Sequence, residues 1–164
     1  MTFVILLPVR FNEIYKEIIK DMIMKVHIEV PISQIMATDL VTVKKTDGLD
    51  VAEHLFKKHR IRHIPVVDDK RIVGMLSMND LLRISFADGA YREEENVQSN
   101  IYEMFTVPQL MRSKLTTVAP DNSIREVANI FVKSEYHSLP VVKDDELVGI
   151  VTTTDLIKYL LDDS

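Results

Sequence analysis

Two stretches of the sequence place a glycine, a hydroxyl side chain and an aspartate at one common spacing. They are Gly74, Ser77 and Asp80 in the first stretch, and Gly149, Thr152 and Asp155 in the second. A hydroxyl at a helix start lies beside unpaired backbone N–H groups and the positive end of the helix dipole, which suits it to a phosphate. An aspartate one turn later can accept hydrogen bonds from a ribose diol. The motifs therefore predict nucleotide contacts, although the same residues would also serve as capping boxes.

Other chemistry finds little support in the residue pattern. His54, His59 and His63 are spaced across a predicted helix, turn and strand, and no carboxylate completes a zinc motif. The sequence has no phosphate-binding Gly-x-x-x-x-Gly-Lys loop, nucleophile elbow or His-Glu-x-x-His string. Its carboxylates fall in predicted turns and helix faces, without an acid and base pair. We therefore expect neither a metal site nor an enzyme.

The composition is that of an ordinary globular protein. Of the 164 residues, 46% are hydrophobic and 27% are charged, and the formal net charge is −5. That charge argues against nucleic acid as a partner, and the absence of cysteine suits a reducing compartment. Residues 3–9 are too short for a membrane span and lack the flanks of a secretory signal. The expected location is the cytoplasm.

The chain repeats itself at a constant offset of 75 positions. The offset relates the pairs Met36 and Met111, Thr42 and Thr117, Pro65 and Pro140, Gly74 and Gly149, and Asp80 and Asp155. It also aligns IPVV with LPVV, IVGMLS with LVGIVT, and NDLL with TDLI. A match without gaps predicts two homologous units.

Each unit predicts the same order of elements: strand, helix, strand, strand, helix. The runs LVTV and LTTV predict the first strand, and an apolar stripe predicts a helix that begins near Asp50 or Ser123. Two apolar runs around a polar turn predict a hairpin, and the last helix begins after Ser77 or Thr152. The chain thus divides into an N-terminal extension, a first unit, a linker and a second unit, at residues 1–30, 31–86, 87–105 and 106–164.

Two further helices are predicted outside the repeats. Apolar residues from Phe11 to Ile23 recur at helical spacing, with Asn12 as the N-cap. This amphipathic helix would dock on the repeat core or on a second copy, with attachment to a membrane surface as the alternative. In the linker, apolar residues at helical spacing predict a short packing helix, namely Val97, Ile101, Met104 and Phe105.

The duplication, the element order and four strings resemble the cystathionine-β-synthase (CBS) domain family over residues 31–161. The strings are RHIPVVDD, IVGMLSMNDLL, HSLPVVKDD and LVGIVTTTDLI. The resemblance implies an α+β fold in which two CBS repeats pack as a pseudo-twofold Bateman module with two clefts between them. In that family the clefts often bind AMP, ADP, ATP or S-adenosylmethionine, and two modules often form a homodimer. An occupied module changes the behaviour of a partner domain or protein.

The resemblance assigns four further positions to the base and ribose. Thr42 and Thr117 match a family position that faces the cleft, although threonine is also simply a good strand residue. Pro65 and Pro140 follow extended backbone that could meet an adenine edge, because proline restricts the preceding residue to extended conformations.

Four more positions complete the predicted ligand site. Arg62 and His137 match a family position that often faces phosphates, although a solvated surface charge would equally explain Arg62. His63 and Ser138, which follow them in sequence, belong to the same predicted ligand site. Histidine changes charge near neutral pH, so a phosphate contact at His137 should weaken as the pH rises.

The leading hypothesis is a stand-alone regulatory module that needs no cofactor and signals to an unknown protein partner. It would bind an adenine nucleotide or S-adenosylmethionine between its repeats. The alternative is a structural dimerisation or interaction module without a ligand. The second repeat has a Pro-Asp-x-Ser turn (APDNSI) that the first lacks, so the clefts should be unequal. If only one cleft binds a ligand, Asp155 should matter more than Asp80.

Overall fold

A computed structural model describes residues 29–89 and 102–162 of the chain. The helix predicted between Phe11 and Ile23 and residues Val97 and Ile101 of the predicted linker helix lie outside these ranges. Within them, no helix is long and apolar enough to cross a bilayer.

The helices and strands follow the predicted order in both repeats. The first repeat contains β1 (Val43–Lys44), α1 (Leu49–His59), β2 (His63–Asp68), β3 (Arg71–Ser77) and α2 (Met78–Gly89). A short helix α3 (Val107–Leu110) precedes the second repeat, which contains α4 (Ile124–Lys133), β4 (Ser138–Lys143), β5 (Glu146–Thr152) and α5 (Thr153–Asp162). The predicted α+β class and both hairpins are confirmed.

The first predicted strand is shortened to two residues in the first repeat and reduced to a single bridge in the second. Of the LVTV run only Val43 joins the sheet, and β1 pairs in parallel with β2 over two residues. In the second repeat, the LTTV run contributes an isolated parallel bridge between Val118 and Val141. These short pairings still hold the beginning of each repeat beside its hairpin.

The two hairpins have the same geometry at equivalent positions. Strands β2 and β3, and likewise β4 and β5, pair antiparallel with one irregularity after Val66 or Val141. The turns use aspartates with positive φ, at Asp69 in the first hairpin and at Asp144 and Asp145 in the second. Aspartate tolerates this left-handed conformation better than most residues, which suits a tight polar turn.

The first helices of the two repeats begin differently, as the turn sequences predict. Ser123 caps α4 in a capping box, in which its hydroxyl accepts from the backbone N–H of Glu126 and its own N–H donates to the Glu126 carboxylate. Gly48 begins α1 without a side-chain cap. The predicted apolar faces are nevertheless turned inward in both helices, with Phe56 and Phe131 buried.

Each repeat completes the core of the other. Ile32 precedes the first repeat's strands, yet it is fully buried in the core of the second repeat. Val107 precedes the second repeat's strands and is fully buried in the core of the first. We call residues 30–37 and 107–112 the leader segments, because each leads into one repeat while packing on the other.

Backbone pairing fixes both leader segments on the opposite hairpin. Ala37 exchanges two hydrogen bonds with Ile150 of β5, at 2.9 and 3.0 Å. Arg112 exchanges the equivalent two with Met75 of β3, also at 2.9 and 3.0 Å. The repeats are therefore interlocked rather than merely adjacent.

The described part of the predicted linker helix packs less than expected. Residues 102–104 are helical and Tyr102 packs against the first core, but Met104 is 75% exposed and Phe105 39% exposed. The prediction of a buried face at these two positions is wrong. The chain turns at Thr106, which caps α3, and Val107 enters the core instead.

Candidate functional site

A cavity of about 550 Å³ lies between the two repeats. The first repeat contributes the start of β2, the end of β3 and the first turns of α2. The second contributes the end of its leader segment, the residues that follow it, and the start of β4 with the chain before it. The lining residues are His63, Met75, Ser77, Asn79, Asp80, Arg83, Arg112, Lys114, Leu115, Thr116, Glu135, Tyr136, His137, Ser138, Leu139 and Pro140. Six of the twelve predicted ligand residues are among them.

Ser77 and Asp80 form a capping box on the cavity wall. The Ser77 hydroxyl and, at 3.3 Å, the Ser77 N–H donate to Asp80 Oδ2, and the Asp80 N–H donates to Ser77 Oγ at 3.2 Å. Asp80 Oδ1 takes no part in the cap and lies 4.0 Å from the guanidinium of Arg83. The capping interpretation is therefore correct, and it leaves one carboxylate oxygen for a ligand hydroxyl.

Thr152 and Asp155 form the same capping box at the start of α5. The Thr152 N–H and hydroxyl donate to Asp155 Oδ2 at 2.8 and 2.7 Å, and the Asp155 N–H donates back at 3.3 Å. Neither residue lines the cavity beside Asp80. The two motifs are thus structurally equivalent, but they lie in different surroundings.

His63 and His137, which come from different repeats, line the same cavity, whereas Arg62, the predicted phosphate partner of His137, does not. The pKa of His63 is lowered from its ordinary value of 6.5, first because the imidazole is partly buried and then because His137 lies nearby. Asp80 raises this pKa, whereas Arg112 and Arg62 lower it further. His63 is therefore a neutral hydrogen-bonding group in the cavity at neutral pH. Ser138 is itself buried and lines the same wall.

Four predicted residues lie away from this cavity. Pro65 is buried in β2 opposite Met75, and Thr42 is partly buried before β1. Thr117 is exposed, and so is Arg62, whose carbonyl accepts from the N–H of Met78 at 2.9 Å. Together with Thr152 and Asp155, they are the six predicted ligand residues that do not line the cavity.

The sequence reasoning missed the cations of the cavity. Arg83 could have been found, because it lies one turn after Asp80 on the same helix face. Arg112 and Lys114 belong to no motif, and they reach the first repeat's wall because the leader segment pairs with β3. Only the interlocked arrangement places them there.

Comparison with known proteins agrees with this architecture. The model of the family described as "CBS domain" matches residues 32–87 and 107–162. The crystal structure of a CBS domain from a membrane protein of Sphaerobacter thermophilus has 28% identity and a TM-score of 0.74, covering 89% of this chain and 97% of that one.

Two other similar structures contain ligands. CBSX2 in complex with AMP has 24% identity and a TM-score of 0.67, with 81% of this chain and 97% of that chain covered. The CBS pair of the protein MJ0100 from a complex with 5′-methylthioadenosine and S-adenosyl-L-methionine has 23% identity and a TM-score of 0.68, with 82% and 98% covered. At these identities the likeness establishes the fold.

The chain is shorter than several relatives. It spans 34%, 42% and 60% of the length of three curated relatives, among them a chloroplastic CBS domain-containing protein of Arabidopsis thaliana. The family model matches the present sequence twice, once in each repeat. The chain therefore belongs to the CBS domain family, as a tandem CBS pair of the Bateman-module type.

Proposed function

We propose that this CBS pair is a non-catalytic regulatory module that binds an adenosine-containing ligand in the cavity beside Asp80. The observation that carries the proposal is the cavity itself, which both repeats line and which is as large as the sites of many small ligands. Two proteins of the same fold have structures with AMP or with S-adenosylmethionine. The Oδ1 atom of Asp80, which takes no part in the cap and lies 4.0 Å from Arg83, would accept from the ribose, while the cap holds the carboxylate in place.

Occupancy would change how the two repeats pack. A ligand in this cavity touches α2 of the first repeat and the chain entering β4 of the second, so it favours the packing in which both walls lie at the correct distance. Such a population shift requires only that one arrangement binds the ligand better than another. A partner protein that recognises one arrangement would read the occupancy.

The test is thermal unfolding of the full chain with AMP, ADP, ATP, adenosine and S-adenosylmethionine, using Asp80→Ala and Asp155→Ala. Each substitution removes the carboxylate half of an equivalent capping box, at the start of α2 or of α5, so their effects on the unliganded protein should match. A ligand at 100 times its Kd stabilises a protein by about 2.7 kcal/mol. We expect that stabilisation in wild type and Asp155→Ala, and its loss in Asp80→Ala.

The cavity thus favours Asp80 over Asp155 as the more important residue for ligand binding, which is the opposite of the ranking predicted from the Pro-Asp-x-Ser turn. A larger loss of ligand stabilisation in Asp155→Ala than in Asp80→Ala would restore the sequence-based order and move the site to the other cleft. No stabilisation by any adenosine compound would reject the sensing function.

A second candidate function is association through exposed helix faces. Leu82 on α2 and Ile157 on α5 are equivalent under the offset, and both are exposed, as is Leu161 on α5. Apolar side chains at matching positions favour a symmetric contact with a second copy of the chain. Light scattering should then give a dimer, and Leu82→Glu combined with Ile157→Glu should give a monomer with unchanged ligand stabilisation.

A further inference from the structure

The cavity beside Asp80 has an uneven distribution of charge. Its fixed cations are Arg83, Arg112 and Lys114, and its carboxylates are Asp80 and Glu135. Arg83 is the nearest cation to Asp80, at 4.0 Å from Oδ1, so these two charges partly offset one another. The remaining cations come from the second repeat.

Arg112 and Lys114, which we call the cationic pair, have no ion-pair partner among residues 29–84 and 102–161, whose side chains the structure describes. Other lysines and arginines of the described chain do have one, such as Lys70 with Glu146 at 3.3 Å. Two uncompensated cations on a cavity wall attract anions and repel cations.

The backbone holds the cationic pair against the cavity. Arg112 exchanges two hydrogen bonds with Met75 of β3, and Met75 itself lines the cavity. Lys114 follows two residues later and lines the same wall. The backbone position of Arg112 is therefore fixed by its pairing with β3, and Lys114 lies close behind it in sequence.

The equivalent positions of the other leader segment show that the fold does not require these charges. The offset relates Arg112 to Ala37 and Lys114 to Asp39. Ala37 pairs with Ile150 just as Arg112 pairs with Met75, with the same two distances. Equivalent backbone positions thus carry two cations on the wall that Asp80 also lines, but a neutral residue and an acid in the leader region of the first repeat.

We infer that the cavity beside Asp80 selects a phosphate-bearing adenosine nucleotide, and that Arg112 and Lys114 bind its phosphate group. This inference rests on the proposed function. A phosphate monoester carries a charge of about −1.5 to −2 at pH 7, and arginine can bind it through two parallel hydrogen bonds. S-adenosylmethionine carries a sulfonium and an ammonium group against one carboxylate, so its net charge is positive. Adenosine offers no charge at all.

Isothermal titration calorimetry of the full chain tests the inference with AMP, ADP, ATP, adenosine and S-adenosylmethionine. The variant is Arg112→Gln with Lys114→Gln. The control is Lys133→Gln with Lys143→Gln, which removes the same net charge at exposed positions outside the cavity. Each protein is measured at low and at physiological ionic strength.

We expect wild type to bind the three phosphates more tightly than adenosine or S-adenosylmethionine. The cavity variant should lose about tenfold or more in phosphate affinity, keep its adenosine affinity and show a weaker salt dependence. The control should match wild type.

Three outcomes would overturn the inference. If wild type binds S-adenosylmethionine as tightly as AMP, the cationic pair does not select for phosphate. If the cavity variant loses as much affinity for adenosine as for AMP, the two cations maintain the shape of the cavity rather than bind the phosphate. Both leave the proposed function standing. If no adenosine compound binds to wild type, the proposed function fails and the inference fails with it.

Discussion

At the scale of single residues, Asp80 has a structural role through one carboxylate oxygen and, in the proposed function, a binding role through the other. Asp80 uses one carboxylate oxygen to cap α2 and presents the other to the cavity. Asp155 uses the same capping contacts at the start of α5, outside that cavity. Comparing Asp80→Ala with Asp155→Ala therefore distinguishes an effect on helix capping from an effect on ligand binding, which neither substitution could do alone.

His63 makes the stability of the protein sensitive to mildly acidic pH. Its pKa in the folded protein is lowered from the 6.5 expected of the unfolded chain, mainly by burial and then by His137. As the pH falls below 6.5, the unfolded chain takes up a proton before the folded one does. The contribution of neutral His63 is thus complete above that pH and is lost as the pH falls through the folded pKa.

We expect His63→Gln to flatten the dependence of stability on pH. Urea unfolding of the unliganded protein at several pH values from neutral to mildly acidic should show a smaller decrease for the variant than for wild type. His59→Gln is the control, because His59 is exposed at the end of α1, outside the cavity. A slope for His63→Gln equal to that of wild type would refute this assignment.

At the scale of elements, the two repeats begin their first helices with unequal caps. Ser123 and Glu126 satisfy each other's backbone N–H groups at the start of α4, whereas Gly48 has no side chain to do so. The pKa of Glu126 is lowered, first by its hydrogen bond with the Ser123 backbone and then by the Asn122 side chain. This carboxylate therefore favours folding above its ordinary pKa of 4.5 and loses that effect as the pH falls through its lower folded value.

Ser123→Ala should reduce the free energy of unfolding by about 1 kcal/mol, because it removes the hydroxyl that accepts from Glu126 N–H. Chemical unfolding at neutral pH provides the measurement. Asn129 lies on the exposed side of the same helix, so the free energy of unfolding of Asn129→Ala should stay within about 0.5 kcal/mol of wild type. Equal effects of the two substitutions would argue against the cap.

At the scale of the whole molecule, the exchanged leader segments make one cooperative unit of two repeats. Met111 packs on Gly74 and Met36 packs on Gly149, so that a Cβ atom at either glycine would collide with the methionine. The close packing of methionine explains why the first position of each Gly-x-x-Ser/Thr-x-x-Asp motif is a glycine, which has no Cβ atom. It also joins each motif to the leader segment of the opposite repeat.

Because each leader segment is buried in the opposite repeat, a core substitution in a leader segment should destabilise the repeat that is distant from it in sequence. Ile32→Ala should cost about 2–5 kcal/mol, because Ile32 is fully buried. In hydrogen exchange, the loss of protection should be strongest in β4 and β5, although Ile32 lies beside the first repeat in sequence. Val107→Ala, the matched variant, should affect β2 and β3 instead. Protection lost mainly within the repeat adjacent in sequence would contradict the exchange.

The sequence by itself determined the elements of this protein and the identity of its motifs. The offset of 75 positions, the IPVV and LPVV strands and the stripes of α1 and α4 predict the repeat order, because periodicity and duplication are local properties of a chain. The capping boxes at Asp80 and Asp155 could also be predicted from the sequence, because their contacts join residues only three positions apart.

Only the tertiary structure decided which of these residues meet. His63 and His137, or Asp80 and Lys114, come together because the leader segments cross between the repeats and pair with the opposite hairpins. Nothing in the local pattern distinguishes that exchange from two separate repeats, because burial of Ile32 or Val107 is equally favourable in either core. The selection between cores is made by packing across the whole molecule, and with it the choice of which motif faces the cationic cavity.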